Sequence, residues 1–314
     1  MNEIRSPCVL PSMEQQAMIG FESRRVETAQ GGVFVHKAGS GPPLLLLHGF
    51  PQTSLMWRDI GPMLASHFTV VAVDLPGYGA SDCPPVGQGH GSMSKRAMAT
   101  TLIETMAALG HDRFAVAGHD RGGRVAYRMA LDHADVVTRL AVLDIIPTFE
   151  VWDRADARLA LAFWPFSLLA QPAPLPERLI AAAPEAIVDN ALDEWGSAPE
   201  TFPRAVREAY AAALRDPAQI HAICEEYRAA ATVDREHDRA DLEAGRQIDC
   251  ALLVLWSAHG GLASWYEEAG GPLGIWRRWA KDVCGHAVAG GHFFPEEKPE
   301  ATVGLLRDFF GGES

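Results

Sequence analysis

Short apolar runs alternate with amphipathic stretches over much of the chain. Residues 44–47, 69–73, 114–117, 140–143 and 251–256 are continuous apolar runs. Such runs suit strands buried on both faces of a parallel sheet. Residues 31–36 alternate enough to form a further strand. Helical spacing fills 94–109 and 121–133, and a closing helix is expected around 301–310. Strand followed by helix, repeatedly, predicts an α/β fold: a mostly parallel sheet flanked by helices. The first 25 residues predict no element and read as an arm.

The alternation stops near Pro147. From there to about Gly245 the chain is rich in Ala, Arg, Glu and Trp, without a strand pattern. Gln171-Pro172-Ala173-Pro174-Leu175-Pro176 breaks this stretch into helical pieces. We therefore expect a core in two parts, 1–146 and 247–314, with a helical lid at 147–246 between them. A chain of 314 residues fits one core with such an insertion. Residues 87–94 read as a Gly/Ser-rich surface loop, and there is no internal repeat.

Charge narrows the partners. With 27 basic and 40 acidic residues the net charge is −13, which argues against nucleic acid or an anionic membrane surface. No apolar stretch is long enough to span a bilayer, and the first 20 residues lack a signal-peptide pattern. Five cysteines, Cys8, Cys83, Cys224, Cys250 and Cys284, have no metal-like spacing and an odd count. A reducing, cytoplasmic setting without a disulfide framework is expected. No metal or other cofactor is expected, and the partner is a small molecule.

The candidate chemistry centres on Gly118-His119-Asp120-Arg121-Gly122. It follows a buried strand and opens a helix, the setting of a nucleophile elbow. Glycines two residues either side permit the tight turn that exposes the middle side chain. The middle residue is a carboxylate, not a serine. The alternative is a Gly-flanked turn whose Asp caps the helix. A carboxylate that attacks carbon forms an ester, and water needs a general base to hydrolyse it. His292, between the last strand-like run and the final helix, is the candidate base. Asp144, at the end of the 140–143 run, would fix its tautomer, or is simply a turn residue. Nucleophile, acid, histidine is the chain order of α/β-hydrolases. The backbone N–H groups of Phe50, in His48-Gly49-Phe50-Pro51, and of Arg121 can form an oxyanion hole. His48 itself reads as structural.

Arg121 and Arg124 lie about one helical turn apart, so both can face a pocket. Paired guanidinium groups could clamp a substrate carboxylate and place its α-carbon near Asp120, or they could bond protein acids instead. Arg235-Glu236-His237-Asp238 reads as a solvated lid segment, not a metal site. Trp152, Phe163, Trp164 and Phe166 form an aromatic group that is either lid packing or the apolar roof of the pocket.

Residues 118–128 resemble the fluoroacetate (haloacetate) dehalogenases of the α/β-hydrolase superfamily. So do 48–53, 74–79, 141–148, 169–177, 224–229 and 291–297. The resemblance implies that the Asp120 position displaces halide while Arg121 and Arg124 hold the carboxylate. It also implies that Asp144 and His292 complete a triad, and it suggests a homodimer. In that family a lid His-Trp pair and a tyrosine hold the leaving halide. Counted without gaps, those positions fall on Pro165, Phe166 and Thr232. Proline and phenylalanine offer no side-chain donor, so defluorination should suffer most. Trp164 could supply one N–H if its helix shifts. An epoxide hydrolase would use the same triad with a lid tyrosine, for which Tyr210 and Tyr227 are available. A carboxylate-binding protein without turnover is the third reading.

Overall fold

The computed structural model describes residues 18–85 and 87–312. Eight strands form one sheet: β1 (Glu22–Thr28), β2 (Gly31–Ala38), β3 (Pro43–Leu47), β4 (Thr69–Val73), β5 (Phe114–His119), β6 (Val137–Leu143), β7 (Ala251–Ser257) and β8 (Val283–Val288). Their spatial order is β1-β2-β4-β3-β5-β6-β7-β8. Pairing from β4 to β8 is parallel, while β2 runs antiparallel to both β1 and β4. The expected mostly parallel sheet is thus present, with an antiparallel hairpin added at one edge. That hairpin includes residues 22–25, for which the sequence predicts only an arm. β1 is largely exposed, so it carries little apolar pattern to read. The rest of that arm, before residue 18, lies outside the described residues.

The apolar runs bury both faces, as their lack of alternation predicts. Leu45, Leu47, Val71, Val73 and Val116 face one core, while Leu44, Leu46, Val70, Ala72 and Ala117 face the other. Helix α1 (Ile60–Ala65) contributes Ile60 and Leu64 to the second core. Helix α2 (Lys95–Ala108) begins at Ser94, whose hydroxyl accepts the Ala97 N–H. Its Met98, Leu102 and Met106, four residues apart, enter the first core. Helix α3 (Asp120–Asp132) packs on β5 and β6 and is buried almost along its whole length.

Between β6 and β7 come eight α-helices, one short 3₁₀ turn (Pro199–Thr201) and no strand among the described residues. The α-helices are α4 (Thr148–Asp153), α5 (Ala157–Ala162), α6 (Pro165–Leu168), α7 (Leu175–Ala182), α8 (Pro184–Glu194), α9 (Arg204–Ala213), α10 (Pro217–Ala231) and α11 (Val233–Glu243). The proline-rich stretch falls in the gap between α6 and α7. Arg235 to Asp238 belongs to α11, and here the expected solvated segment is corrected. Asp238 is buried and accepts from Tyr127 Oη at 2.7 Å, from the Phe149 N–H and from Arg128. After β7 come α12 (Gly271–Trp276), then α13 (Phe294–Glu297) and α14 (Pro299–Gly311) beyond β8. Val303, Leu306 and Phe310 of α14 close the second core. No described helix is long and apolar enough to cross a membrane.

Candidate active site

The carboxyl ends of adjacent parallel strands place the candidate residues. Asp120 follows β5, Asp144 follows β6, and His292 lies between β8 and α13. Phe50 follows β3, the neighbour of β5. Loops at this end of a parallel sheet are a usual place for a ligand site.

The elbow depends on its glycines. A Cβ on Gly118 would lie 2.4 Å from the Gly122 carbonyl oxygen, and one on Gly122 would lie 2.4 Å from that of His48. Neither contact is tolerable. Asp120 itself has φ 46°, and Asp144 has φ 54°. Both are left-handed, a conformation that costs an L-residue roughly 1–2 kcal/mol and that Asp tolerates better than most. Each is held there by hydrogen bonds. The Phe50 N–H donates to Asp120 Oδ1 at 2.9 Å. The Ser257 N–H donates to Asp144 Oδ1 at 2.8 Å, and the Asp144 N–H donates to the Leu255 carbonyl at 2.8 Å.

His292 and Asp144 are paired, with Nδ1 donating to Oδ2 at 2.6 Å. Nε2 is buried and has no partner among the described residues. Burial pulls the imidazole pKa down, but the Asp144 bond and charge, with Asp120 beyond, outweigh it and leave the pKa raised. Burial likewise pushes the Asp120 carboxyl up, and the positive field of His292, Arg121 and Arg124 brings it below its ordinary value. His119, whose Nε2–H donates to the His292 carbonyl at 2.8 Å, is pulled to about 4 by burial and by the neighbouring His292. It is a neutral spacer. His48 receives the Leu75 N–H on Nε2 at 2.9 Å and gives Nδ1–H to the Gly49 carbonyl, a structural role.

The two arginines part company. Arg124 lines a small cavity together with Asp120, Asp144 and His292. Its Nη1 donates to the Ile146 carbonyl at 3.0 Å and to Thr148 Oγ1 at 3.3 Å, while the buried Nε has no partner among the described residues. Burial, then repulsion from Arg121, lowers its pKa. Arg121 does not line that cavity. Its Nε donates to both oxygens of buried Glu226, at 2.7 and 2.9 Å, and its Nη2 sits 2.5 Å from Oε1. Glu226 also accepts from Lys95 and from Tyr78 Oη. The expected two-arginine clamp is corrected to one available guanidinium, because a lid acid already occupies the other. Nη1 of Arg121 has no partner among the described residues.

Lid expectations are corrected in the same way. Of the five lid positions, Phe166 lines the cavity, 5.1 Å from the Arg124 guanidinium carbon. Trp164 faces a second, outer space, and its indole N–H donates to Asn190 at 2.8 Å, so it supplies nothing to the inner cavity. Pro165 opens α6 and is buried outside the lining. Trp152 packs edge-on behind Phe166, ring centroids 5.9 Å apart. Thr232 joins α10 to α11 and donates to the Arg228 carbonyl at 2.7 Å. The lid tyrosine that reaches the elbow is Tyr227, five residues earlier. Its ring lies 5.8 Å from that of Phe50 and 3.9 Å below the Arg121 guanidinium carbon. Tyr210 instead donates to Glu296 at 2.9 Å.

Other lining residues carry no signal in the sequence pattern. Ile145, Ile146, Val151 and Leu159 line the cavity, as do Leu262, Trp265 and Tyr266 from the segment after β7. That segment has no periodic pattern, and only its aromatic pair could have marked it. The cavity volume is about 30 Å³, space for about two waters or a ligand of few heavy atoms. The arrangement combines a carboxylate on a strained turn, an orphan imidazole nitrogen backed by an acid, and one guanidinium without an ion-pair partner, within apolar walls.

The chain matches the α/β-hydrolase fold family over residues 42–228. It is 43% identical over 291 residues to a fluoroacetate dehalogenase from Burkholderia sp, covering 92% of this chain and 94% of that protein. It is 33% identical to a soluble epoxide hydrolase from Corynebacterium sp. (strain C12), over 87% and 91% of the two chains. The crystal structure of ALR0039 from Nostoc sp PCC 7120 superposes with a TM-score of 0.90 at 44% identity, over 94% of this chain and 99% of that one. Fold, strand-end geometry and these likenesses agree: the chain belongs to the α/β-hydrolase family, in the dehalogenase group that includes the Burkholderia enzyme.

Proposed function

We propose that the protein is a haloacid dehalogenase that works through an ester on Asp120. The observation that carries this reading is the Arg124 guanidinium, without an ion pair among the described residues, in the same small cavity as the elbow carboxylate and His292. A buried cation without an ion-pair partner favours an anionic ligand. Held there, a 2-halo acid would present its α-carbon to Asp120. A free oxygen of Asp120 bonds that carbon, and the carbon–halogen bond breaks to release halide. His292 Nε2 then takes a proton from water, whose oxygen attacks Cγ of Asp120. The Phe50 N–H, already on Oδ1, stabilises the oxyanion, with the Arg121 N–H at the helix start as its partner donor. Collapse breaks the ester C–O bond, the imidazolium returns its proton to the departing alkoxide to give the 2-hydroxy acid, and Asp120 loses the remaining water proton to solvent and is a carboxylate again. Esterification removes the Asp120 charge, one of the anions that supports an imidazolium, so His292 becomes a readier base when it is needed.

Phe166 stands where the family resemblance leads one to expect a halide donor, and it has none. Bromide and chloride, which leave with less help, are the expected leaving groups ahead of fluoride. In a His292→Ala variant, a haloacetate should leave a carboxymethyl adduct on the Asp120 peptide that persists for hours, read by intact mass and peptide mapping. An unmodified Asp120 after full exposure, with halide release unchanged, would overturn the ester route.

One observation favours a second reading. Tyr227 lies against Phe50 and Arg121 beside the elbow, and a phenol there could protonate an opening epoxide. Epoxy acids in the same trapping experiment decide between the two.

A further inference from the structure

The cavity at Asp120 shares a wall with a larger outer space of about 360 Å³. Leu161, Trp164, Asn190, Glu194, Trp195 and His259 are among the residues that bound the outer space. Asp144, Phe163, Trp265 and His292 line both. Asp144 and His292 are fixed to each other. The aromatic part of the partition is Phe163 and Trp265, their ring centroids 5.8 Å apart. Phe163 also lies 5.6 Å from the His292 ring and 5.4 Å from that of Trp195. By the same measure the outer space is about twelve times larger than the inner cavity of about 30 Å³.

Phe163 is carried by a lightly held piece of the lid. It ends α5, a six-residue helix in which Leu159 alone is buried. Leu161 beside it is 83% exposed. The backbone is pinned by the Phe163 N–H to the Leu159 carbonyl at 2.9 Å and by Trp195 Nε1 to the Ala162 carbonyl at 2.9 Å. The ring is partly buried, packing against the lid side of the core and against Trp195, Trp265 and His292. Few buried contacts mark a segment that can yield locally.

We propose that Phe163 is the size gate of this site. Its ring confines the inner cavity to short acids such as haloacetates and shuts off the outer space, which would otherwise take the side group of a 2-substituted acid. The inference rests on the carboxylic-acid reading above. It adds what sets the length of the acid.

Acetate and phenylacetate lack a leaving group, so calorimetric titration with them reads binding alone. In Phe163→Ala the ratio of phenylacetate Kd to acetate Kd should fall at least tenfold from wild type, and in Phe163→Trp it should not fall. Turnover efficiency toward α-bromophenylacetate, taken relative to bromoacetate, should shift in the same order. An unchanged Kd ratio in a Phe163→Ala protein that melts like wild type overturns the gate. Should that variant unfold, Phe163→Leu carries the same comparison: a fallen ratio supports the gate and an unchanged one overturns it. A shifted Kd ratio without halide release from any acid overturns the dehalogenase reading and leaves the gate standing. Absence of binding by both acids to every variant overturns both.

Discussion

The two walls of the cavity are built differently. On the sheet side, Asp120, Asp144 and His292 sit at strand ends, the two acids left-handed and each residue held by hydrogen bonds of 2.6 to 2.9 Å. On the lid side, Val151, Leu159, Phe163 and Phe166 come from short helices and carry no polar side-chain atoms. Glu226, a lid acid beside the elbow, binds Arg121 and so belongs to the scaffold. On the proposed route the bond-making groups therefore sit where the backbone is over-determined, and the side chains proposed to select the ligand sit where it is not. A lid of this kind can change its lining without disturbing the reacting groups.

Changes on the sheet side should be the most costly. Asp144→Asn keeps the shape but removes the charge that supports the imidazole. A change of this kind at a triad acid lowers turnover by roughly a thousand- to ten-thousandfold. Steady-state halide release should fall accordingly while the Asp120 ester accumulates; wild-type turnover in this variant would show that the pair is only structural. Arg124→Leu lies at the boundary of the two walls. Loss of charge-assisted hydrogen bonds worth about 1.5–3 kcal/mol should raise KM for bromoacetate roughly ten- to hundredfold, and an unchanged KM would place the carboxylate elsewhere. The smallest effect belongs to the lid. Phe166→Trp returns an N–H donor to the wall, and kcat/KM for chloroacetate relative to bromoacetate should rise about threefold, on the scale of one neutral hydrogen bond. A constant ratio would mean that Phe166 does not border the leaving group.

What could be read from sequence divides along the same line. Six of the eight strands, the elbow and the His292–Asp144 pairing were legible because they depend on local pattern and on the order in which strand ends occur. The two edge strands, β1 and β8, were not, since exposed edge strands carry little apolar signal. Arg121 shows the limit for side chains. Its spacing from Arg124 is visible, but its bond to Glu226 spans 105 residues and follows from how α10 lands on the elbow. Thr232 and Tyr227 show the limit for ungapped counting across the lid, where a shift of five residues moves a position from α10 to the joint beyond it. Leu262, Trp265 and Tyr266 lie in a stretch with no period to reveal which way a side chain would face.

The Phe50 hydrogen bond makes the two oxygens of the nucleophile inequivalent. Oδ1 is engaged, whereas Oδ2 has no hydrogen-bond partner among the described residues and belongs to a residue that lines the cavity. On the proposed route the oxygen that leaves with each product is therefore Oδ2, and water refills that place alone. The carboxylate acquires an isotopic memory. In heavy-oxygen water the first hydroxy acid departs with an old atom, later ones depart with new atoms, and Asp120 keeps one original oxygen for as long as Phe50 holds it.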